Sequence, residues 1–580
     1  MNDNAAALTQ STDFLKKTFR AAVVPGIISF FSSNMALLAD TVLVGRFVGV
    51  DGLASVSVCA PVMLIISLVG GFLSCGAETL CSKAIGKNDV EYAQRIYGAQ
   101  ISLALAFSAA FMLVGLFAIR PIASTLCGGD PALIPMAADY SRVYLLAAAA
   151  SMLTFPPFWF LPLDGKNRSV IVMMLIMGLG NVALDIWFLC GLHLGVHGAA
   201  LASVISAGAS ALYGMIRLHT GKNTFSLRLS LPRGGEWMEL FSAGSPEAFT
   251  NLFQALRVLA VNGILHRVGG NVMVARFAVV NALAAIAEAV TVGVPQSGTA
   301  IMGVYCGEKD NPSVLILLRQ QLGVGLAGCA VMMLLFGLGA PAISWAYQVD
   351  GLGAPLWFLG LSLFPVLLVN ILTYYYRVAG WEMLSNCLIV LRTFVFCVLS
   401  LLALKAVGAT PWLFLVTEGL LTLAAWAGLT GVLSRRKPNQ ALSRWLLMDK
   451  RLEDNGNSIN FSTPSDEMAI CDATDRISTF CAANKMEPKQ VMRVRLALEE
   501  MMVLITQFNP GDALSFDVRV FAVMGVIGIR IRYGGIDFNP LSPEYAEDER
   551  FLGVQMVRSL VEETVYQSTF GVNSLMILIE

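Results

Sequence analysis

Twelve apolar stretches, each of twenty residues or more, fill the first 440 positions of this chain, and a globular core cannot absorb that many. Divided at charged or Gly/Pro/Asn-rich breaks they run 18–44, 53–80, 92–119, 133–160, 168–190, 197–218, 238–265, 274–304, 313–340, 353–377, 383–405 and 411–433. Each is long enough to cross a hydrocarbon layer of about 30 Å at 1.5 Å per helical residue. Composition agrees: 56% of the 580 residues are hydrophobic and only 14% are charged, against about 25% charged in ordinary soluble domains. The fold class expected is therefore an all-α polytopic membrane body followed by a small α+β sandwich.

The net charge of −1 hides two unlike parts. The last 140 residues hold 20 acids and 13 bases, while the preceding 440 hold 20 acids and 26 bases, so a −7 segment follows a +6 body. Opposite charges predict mutual attraction between the two, and neither part suggests a nucleic-acid partner. With the N-terminus inside, 15 bases of the membrane body fall on the inner side and 5 on the outer. The positive-inside rule thus puts both termini in the cytoplasm. The eleven cysteines form no CxxC pair, and the four histidines form no metal-ligand pattern.

The body also repeats. At a constant offset of 221, Pro25 maps to Pro246, Arg46 to Arg267, Gly49 to Gly270, Ala54 to Ala275, Gly86 to Gly307 and Asp89 to Asp310. Two six-helix lobes of equal orientation follow, with a path expected between them. The organisation expected is an N-terminal tail at 1–17, an N-lobe at 18–218, a linker at 219–236, a C-lobe at 237–435, a second linker at 436–462 and a soluble domain at 463–580. Within the last, strand-like runs at 516–523, 525–533 and 574–579 alternate with helical ones at 468–483, 488–507 and 551–563.

Where the repeat fails, chemistry is indicated. Asp40 lies inside the first stretch, but its partner at the same offset is Val261. An ionisable residue in a membrane span costs about 2.5 to 3.5 kcal/mol on insertion scales and marks a functional site by default. Asp185 and Asn181 share one face of the fifth stretch, and Ser203 adds a hydroxyl from the sixth. These oxygen ligands suit a proton or a small hard cation such as Na+. Two carboxylates in one dry pocket cannot both stay ionised without such a counter-charge. Gln254, Arg257, Asn262 and Glu288 are the candidates for a translocation path; Arg142 and Arg392 are weaker ones.

These motifs resemble those of the multidrug and toxic compound extrusion (MATE) transporters. Ala39-Asp40-Thr41-Val42-Leu43-Val44-Gly45-Arg46 is similar to the family's first-helix signature, and Ala84-Ile85-Gly86-Lys87-Asn88-Asp89 to the loop after its second helix. Asn181-Val182-Ala183-Leu184-Asp185 and Gly198-Ala199-Ala200-Leu201-Ala202-Ser203 are similar to its fifth and sixth helices. The resemblance implies a V-shaped antiporter that exports small organic compounds in exchange for H+ or Na+, with the cation site at Asp40, Asn181, Asp185 and Ser203. Some members carry an acid in the seventh helix where this chain has Gln254, so no second coupling site is expected in the C-lobe.

Residues 463–580 resemble the anti-sigma-factor serine kinases of the GHKL ATPase superfamily. The likeness rests on Arg495-Leu496-Ala497-Leu498-Glu499-Glu500, on Gly535-Ile536-Asp537-Phe538-Asn539-Pro540-Leu541 and on Gly553-Val554-Gln555-Met556-Val557-Arg558-Ser559-Leu560. The nucleotide ligands do not carry over: the Mg2+-binding Asn falls on Leu504, the adenine-reading Asp on Tyr533 and the first Gly of the phosphate loop on Phe551. ATP is not expected as a cofactor. A non-catalytic module that binds a cytoplasmic protein or gates the carrier follows, in a multi-pass protein of a bacterial inner membrane and not an enzyme. Two alternatives stay open: a membrane-anchored signalling protein with a kinase-like tail, and a lipid or glycolipid flippase.

Overall fold

The computed structural model describes residues 50–580 apart from 87–88, 127–133, 221–223, 308–309, 348, 437–444, 449–457, 485, 510–513, 524–525, 537, 543–551, 562, 570–571 and 580, with scattered positions of 15–48. Among the described residues, ten helices are long and apolar enough to cross a membrane. An eleventh span forms if the pair Ile134–Leu146 and Ala148–Phe160, bent by 58°, counts as one. The first expected stretch, 18–44, is only partly described.

The helices used below are α1 (Val50–Gly86), α2 (Asn167–Asp185), α3 (Gly195–His219), α4 (Glu236–Thr291), α5 (Asn311–Tyr347), α6 (Gly353–Val378) and α7 (Phe414–Arg436). α4 stays helical through 266–273, between the seventh and eighth stretches, and carries the two spans expected there, Glu236–Gly269 and the start of Arg276–Gly307. That segment holds no proline, and its two glycines weaken a helix by only about 1 kcal/mol each.

Two apolar cores correspond to the two lobes, and they trade residues at their seam. Leu240 of α4 and Ala300 and Val304 of the short helix Thr299–Gly307 belong to the first core. Leu15, Phe19, Ala22 and Val23, from the start of the chain, belong to the second. At the base-rich end the lobes touch closely: a Cβ on Gly76 would lie 2.7 Å from the Leu240 carbonyl oxygen, and one on Gly244 would lie 2.4 Å from that of Phe72. Only glycine permits backbones to cross this near, as in tightly packed membrane helices. Lys83 pairs with Glu382 at 3.7 Å and Arg95 with Glu236 at 2.7 Å across the same seam, so this end is shut.

The C-terminal domain has its own core under a five-stranded antiparallel sheet, β1 (Ser458–Pro464), β2 (Ser515–Val523), β3 (Val526–Tyr533), β4 (Glu563–Thr569) and β5 (Val572–Ile579), in the order β1-β2-β3-β5-β4. Phe516, Val518, Val520, Ile529, Ile531, Leu575 and Ile577 alternate along the strands and are fully buried against α8 (Glu467–Ala483), α9 (Pro488–Phe508) and α10 (Leu552–Leu560). The domain begins at Ser458, inside the stretch read as linker, and the helical run expected to reach 563 stops at Leu560, leaving Glu563–Thr569 as an edge strand. Before it, Tyr375 and Tyr376 of α6 donate hydrogen bonds to the carbonyls of Leu446 and Trp445, and Leu447 and Met448 are buried in the C-lobe core.

Candidate functional site

In the N-lobe, α2 and α3 pack side by side, and Asn181 Nδ2 donates to Ser203 Oγ at 3.1 Å. Asp185, one turn further along α2, has no exposed surface, and Asn181 is 8% exposed. Directly after Asp185 the helix widens into a π-helical stretch, Ile186–Gly191. Such stretches interrupt the regular ladder and concentrate at functional sites. The fifth helix of the other half repeats the feature: Leu391–Val395 is π-helical and carries Arg392. Of the four residues expected to hold a cation, Asn181 and Ser203 are in contact, Asp185 lies one helical turn from Asn181, and Asp40 lies outside the described residues. Among the described residues no group of three His, Cys, Asp or Glu could hold a metal ion.

The C-lobe encloses a second polar site, a cavity of about 270 Å³ lined by α4, α6, α7 and the π-helical stretch. Six of its lining residues are charged: Glu247, Arg257, Glu288, Arg377, Arg392 and Glu418. Arg257 Nη2 pairs with Glu418 Oε1 at 2.9 Å, and Gln254 Nε2 donates to Glu288 Oε1 at 3.0 Å. Arg377 is 2% exposed, lies 3.9 Å from Glu247, and stacks on Tyr374 of its own helix and on Trp159 of the N-lobe. Of the expected path residues, Gln254, Arg257 and Glu288 line this cavity and Asn262 does not. Sequence reasoning passed over Glu247, Arg377 and Glu418. The signal was present, because Glu247 and Glu418 sit inside expected spans and meet the same criterion that singles out Asp40.

In the C-terminal domain, Leu504 packs in the core at 8% exposure. Tyr533 is fully buried and donates its hydroxyl hydrogen to the Phe538 carbonyl. The Phe538 ring stacks on Phe508 at 4.0 Å. Gly535 has φ +97°, a left-handed conformation that favours glycine, and a Cβ on Gly553 would lie 1.9 Å from Glu500 Oε2. Phe551 lies outside the described residues.

The comparisons bear on the membrane body. Residues 25–187 match the family model MatE. A probable multidrug resistance protein of Bacillus subtilis, YoeA, is 26% identical over 316 residues, covering 52% of this chain and 66% of its own. The multidrug export protein MepA of Staphylococcus aureus is 24% identical over 290 residues, covering 50% of this chain and 64% of its own. The chain therefore matches about two thirds of the length of these relatives. A solved structure described as the outward-facing conformation of a multidrug resistance MATE family transporter superimposes with a TM-score of 0.67 at 19% identity, over 73% of this chain and 97% of that one.

Proposed function

We propose, for a chain whose membrane body is that of a MATE-family transporter, that it is a secondary antiporter exporting small organic compounds in exchange for H+ or Na+. The setting we propose is a bacterial inner membrane with both termini in the cytoplasm. The observation that carries this reading is Asp185: a fully buried carboxylate inside a membrane span, one turn from the Asn181–Ser203 hydrogen bond. An ionised carboxylate there is costly and uptake of a proton or a cation lowers that cost, so its occupancy is coupled to the packing of α2 against α3. The π-helical stretch that begins at Ile186 supplies a place where that packing can change register. On the resemblance alone, Asp40 is assigned to this site as a second carboxylate, with H+ or Na+ as the ligand.

The C-lobe cavity lies on the proposed substrate path. Its Glu and Arg side chains are largely paired with each other, which keeps charge in the span tolerable while leaving polar surface for diverse organic ligands. The test is efflux from vesicles with pH and Na+ gradients imposed separately, in wild type, Asp185→Asn and Asp40→Asn. Unaltered coupling in both variants removes the proposed site.

The C-terminal domain is a GHKL-like module without nucleotide chemistry. In support, Tyr533 stands where the resemblance puts the adenine-reading Asp and is buried with its hydroxyl on the Phe538 carbonyl, and apolar Leu504 stands where Mg2+ needs an oxygen. Its role is regulatory: a docked domain biases a carrier by contacting one of its states better than the other. Truncation after residue 440 tests this, with transport and its ion dependence as readouts.

A further inference from the structure

The loops that close the inner ends of the two lobes are built alike. In the N-lobe the Asp89 amide donates to the Ala84 carbonyl at 2.9 Å, and the Asp89 carboxylate accepts from the Tyr92 amide at 3.0 Å, capping the next helix. In the C-lobe the Asp310 amide donates to the Tyr305 carbonyl at 2.9 Å, and the Asp310 carboxylate accepts from the Ser313 amide at 3.3 Å, capping α5. The offset of 221 thus holds in backbone geometry as well as in sequence. Two differences stand out against this common design. Position 84 is Ala where position 305 is Tyr, and Asp89 is exposed while Asp310 is 1% exposed.

What covers Asp310 is the C-terminal sheet. Arg519 on β2 lies opposite Arg530 on β3, and Asp517 lies opposite Arg532, all on the face turned away from the domain's own core. Such a face is normally solvated, yet each of the three arginines is 3% exposed. Arg530 reaches Asp310 at 2.9 Å, Arg519 at 3.7 Å and Arg532 at 3.8 Å, and the Arg532 guanidinium stacks 4.2 Å from the Tyr305 ring centroid. Burial alone would raise the pKa of Asp310, but Arg530 and Arg519 hold it below the ordinary value. The polarity is the reverse of the overall charges, since the contact surface of the acidic domain is basic and its target on the basic body is acidic.

This contact stands against the seam. Tyr305 lies in the helix Thr299–Gly307 and Asp310 follows it; Ala300 and Val304 of this helix are wedged into the N-lobe core and its Gly303 abuts Ser82. The segment that precedes the domain is held on the same lobe, where Tyr375 and Tyr376 donate to Leu446 and Trp445, so both attachments lead to the C-lobe.

We propose that Tyr305 and Asp310 form a latch for the arginine face of the C-terminal sheet, and that the latched domain, carried by the C-lobe, holds the cytoplasmic face of the transporter shut. The proposal rests on the transporter reading, but neither of its tests requires transport. Charged partners on a buried contact of this kind give binding that is strong at low salt and weakens as salt screens it.

The first test uses the full chain with a protease site inserted within 449–457. After cleavage, the domain beginning at Ser458 is expected to stay on the wild-type membrane body at low salt and to leave at high salt. Asp310→Asn keeps a capping oxygen but removes the carboxylate, and should speed release at least about tenfold. Asp89→Asn, the same change at the twin position, should release no faster than wild type. Equal retention in Asp310→Asn and wild type overturns the latch.

The second test reads the gate in uncleaved protein carrying Ala300→Cys, by mass-spectrometric quantification of labelling with a water-soluble thiol reagent. Arg530→Gln combined with Arg532→Gln should raise labelling several-fold, and Arg530→Lys should retain most of the protection. Release of the domain without a change in Ala300→Cys labelling overturns its gating role.

Discussion

Gly303 offers the sharpest test of how the inner face closes. A Cβ at this position would lie 2.1 Å from Ser82 Oγ and 2.6 Å from Ser82 Cβ, against an ordinary contact of 3.4 to 4 Å. Ser82 cannot swing away freely, since it is fully buried and its hydroxyl donates to the Thr79 carbonyl at 3.1 Å. Gly303→Ala therefore forces the lobes apart by roughly an ångström at the seam, and overpacking of this size costs about 1 to 3 kcal/mol. The strain falls on the closed state alone, so the closed-to-open ratio should drop by about 5- to 150-fold. Labelling of Ala300→Cys by a water-soluble thiol reagent, with and without Gly303→Ala, reads that ratio. Adding Ser82→Gly clears the space and should restore protection, because the helix-propensity cost of that glycine falls on both states and cancels in the ratio. If Gly303→Ala leaves labelling unchanged, or if Ser82→Gly fails to restore it, the seam does not close through this contact.

Further expectations follow from the charged groups. Arg257→Gln leaves Glu418, which is 2% exposed, without its partner at 2.9 Å; loss of one member of such a pair destabilises by about 3 to 5 kcal/mol, so the melting temperature should fall, and the double variant with Glu418→Gln should recover part of it. Burial, with Asp310 adding to it, pushes the Asp517 carboxyl up to about 6, in a site that also holds Arg519, Arg530, Arg532, Ser462 and Tyr305. A group whose pKa is raised on docking takes up a proton as it docks, so retention of the cleaved domain should increase as pH falls from about 7.5 to 5.5. Asp310 has the opposite sign, and below about pH 4 its protonation should release the domain. Titration calorimetry of Mg-ATP into the full chain should give no binding heat, whereas saturable binding would contradict the non-nucleotide reading of Tyr533, Phe538 and Leu504.

Much of the fold was legible because hydrophobic period is a local signal. Ten of the apolar stretches of the membrane body, α9, and the strands around 516–523, 525–533 and 574–579 emerge near their expected positions among the described residues. Strand β1 was missed because Ser458-Ile459-Asn460-Phe461-Ser462-Thr463 is polar enough to read as linker. Strand β4, with Glu563, Thr564, Gln567, Ser568 and Thr569, lacks the alternation of a half-buried strand. The linker was read too long because Trp445 and Leu446 are fixed by tyrosines some 70 residues earlier, a relation no local pattern carries.

The site was legible unevenly for the same reason. Asp185, Asn181 and Ser203 announce themselves as polar residues in apolar helices, and the packing of α2 on α3 brings Asn181 to Ser203. Arg519, Arg530 and Arg532 look like an ordinary solvated strand face, and their burial depends on an aspartate about 220 positions away. Net charge was a poor guide here, because docking is decided by the few side chains that meet and not by the sum over each part.

The measurement that bears most directly on the account is proton- or sodium-driven efflux of a fluorescent organic compound from vesicles, with the two gradients imposed one at a time, in wild type and Asp185→Asn. The account predicts efflux driven by one of the two gradients in wild type and loss of that drive in Asp185→Asn, with the protein still folded and inserted. Gradient-driven efflux that survives in Asp185→Asn at the wild-type rate would contradict it.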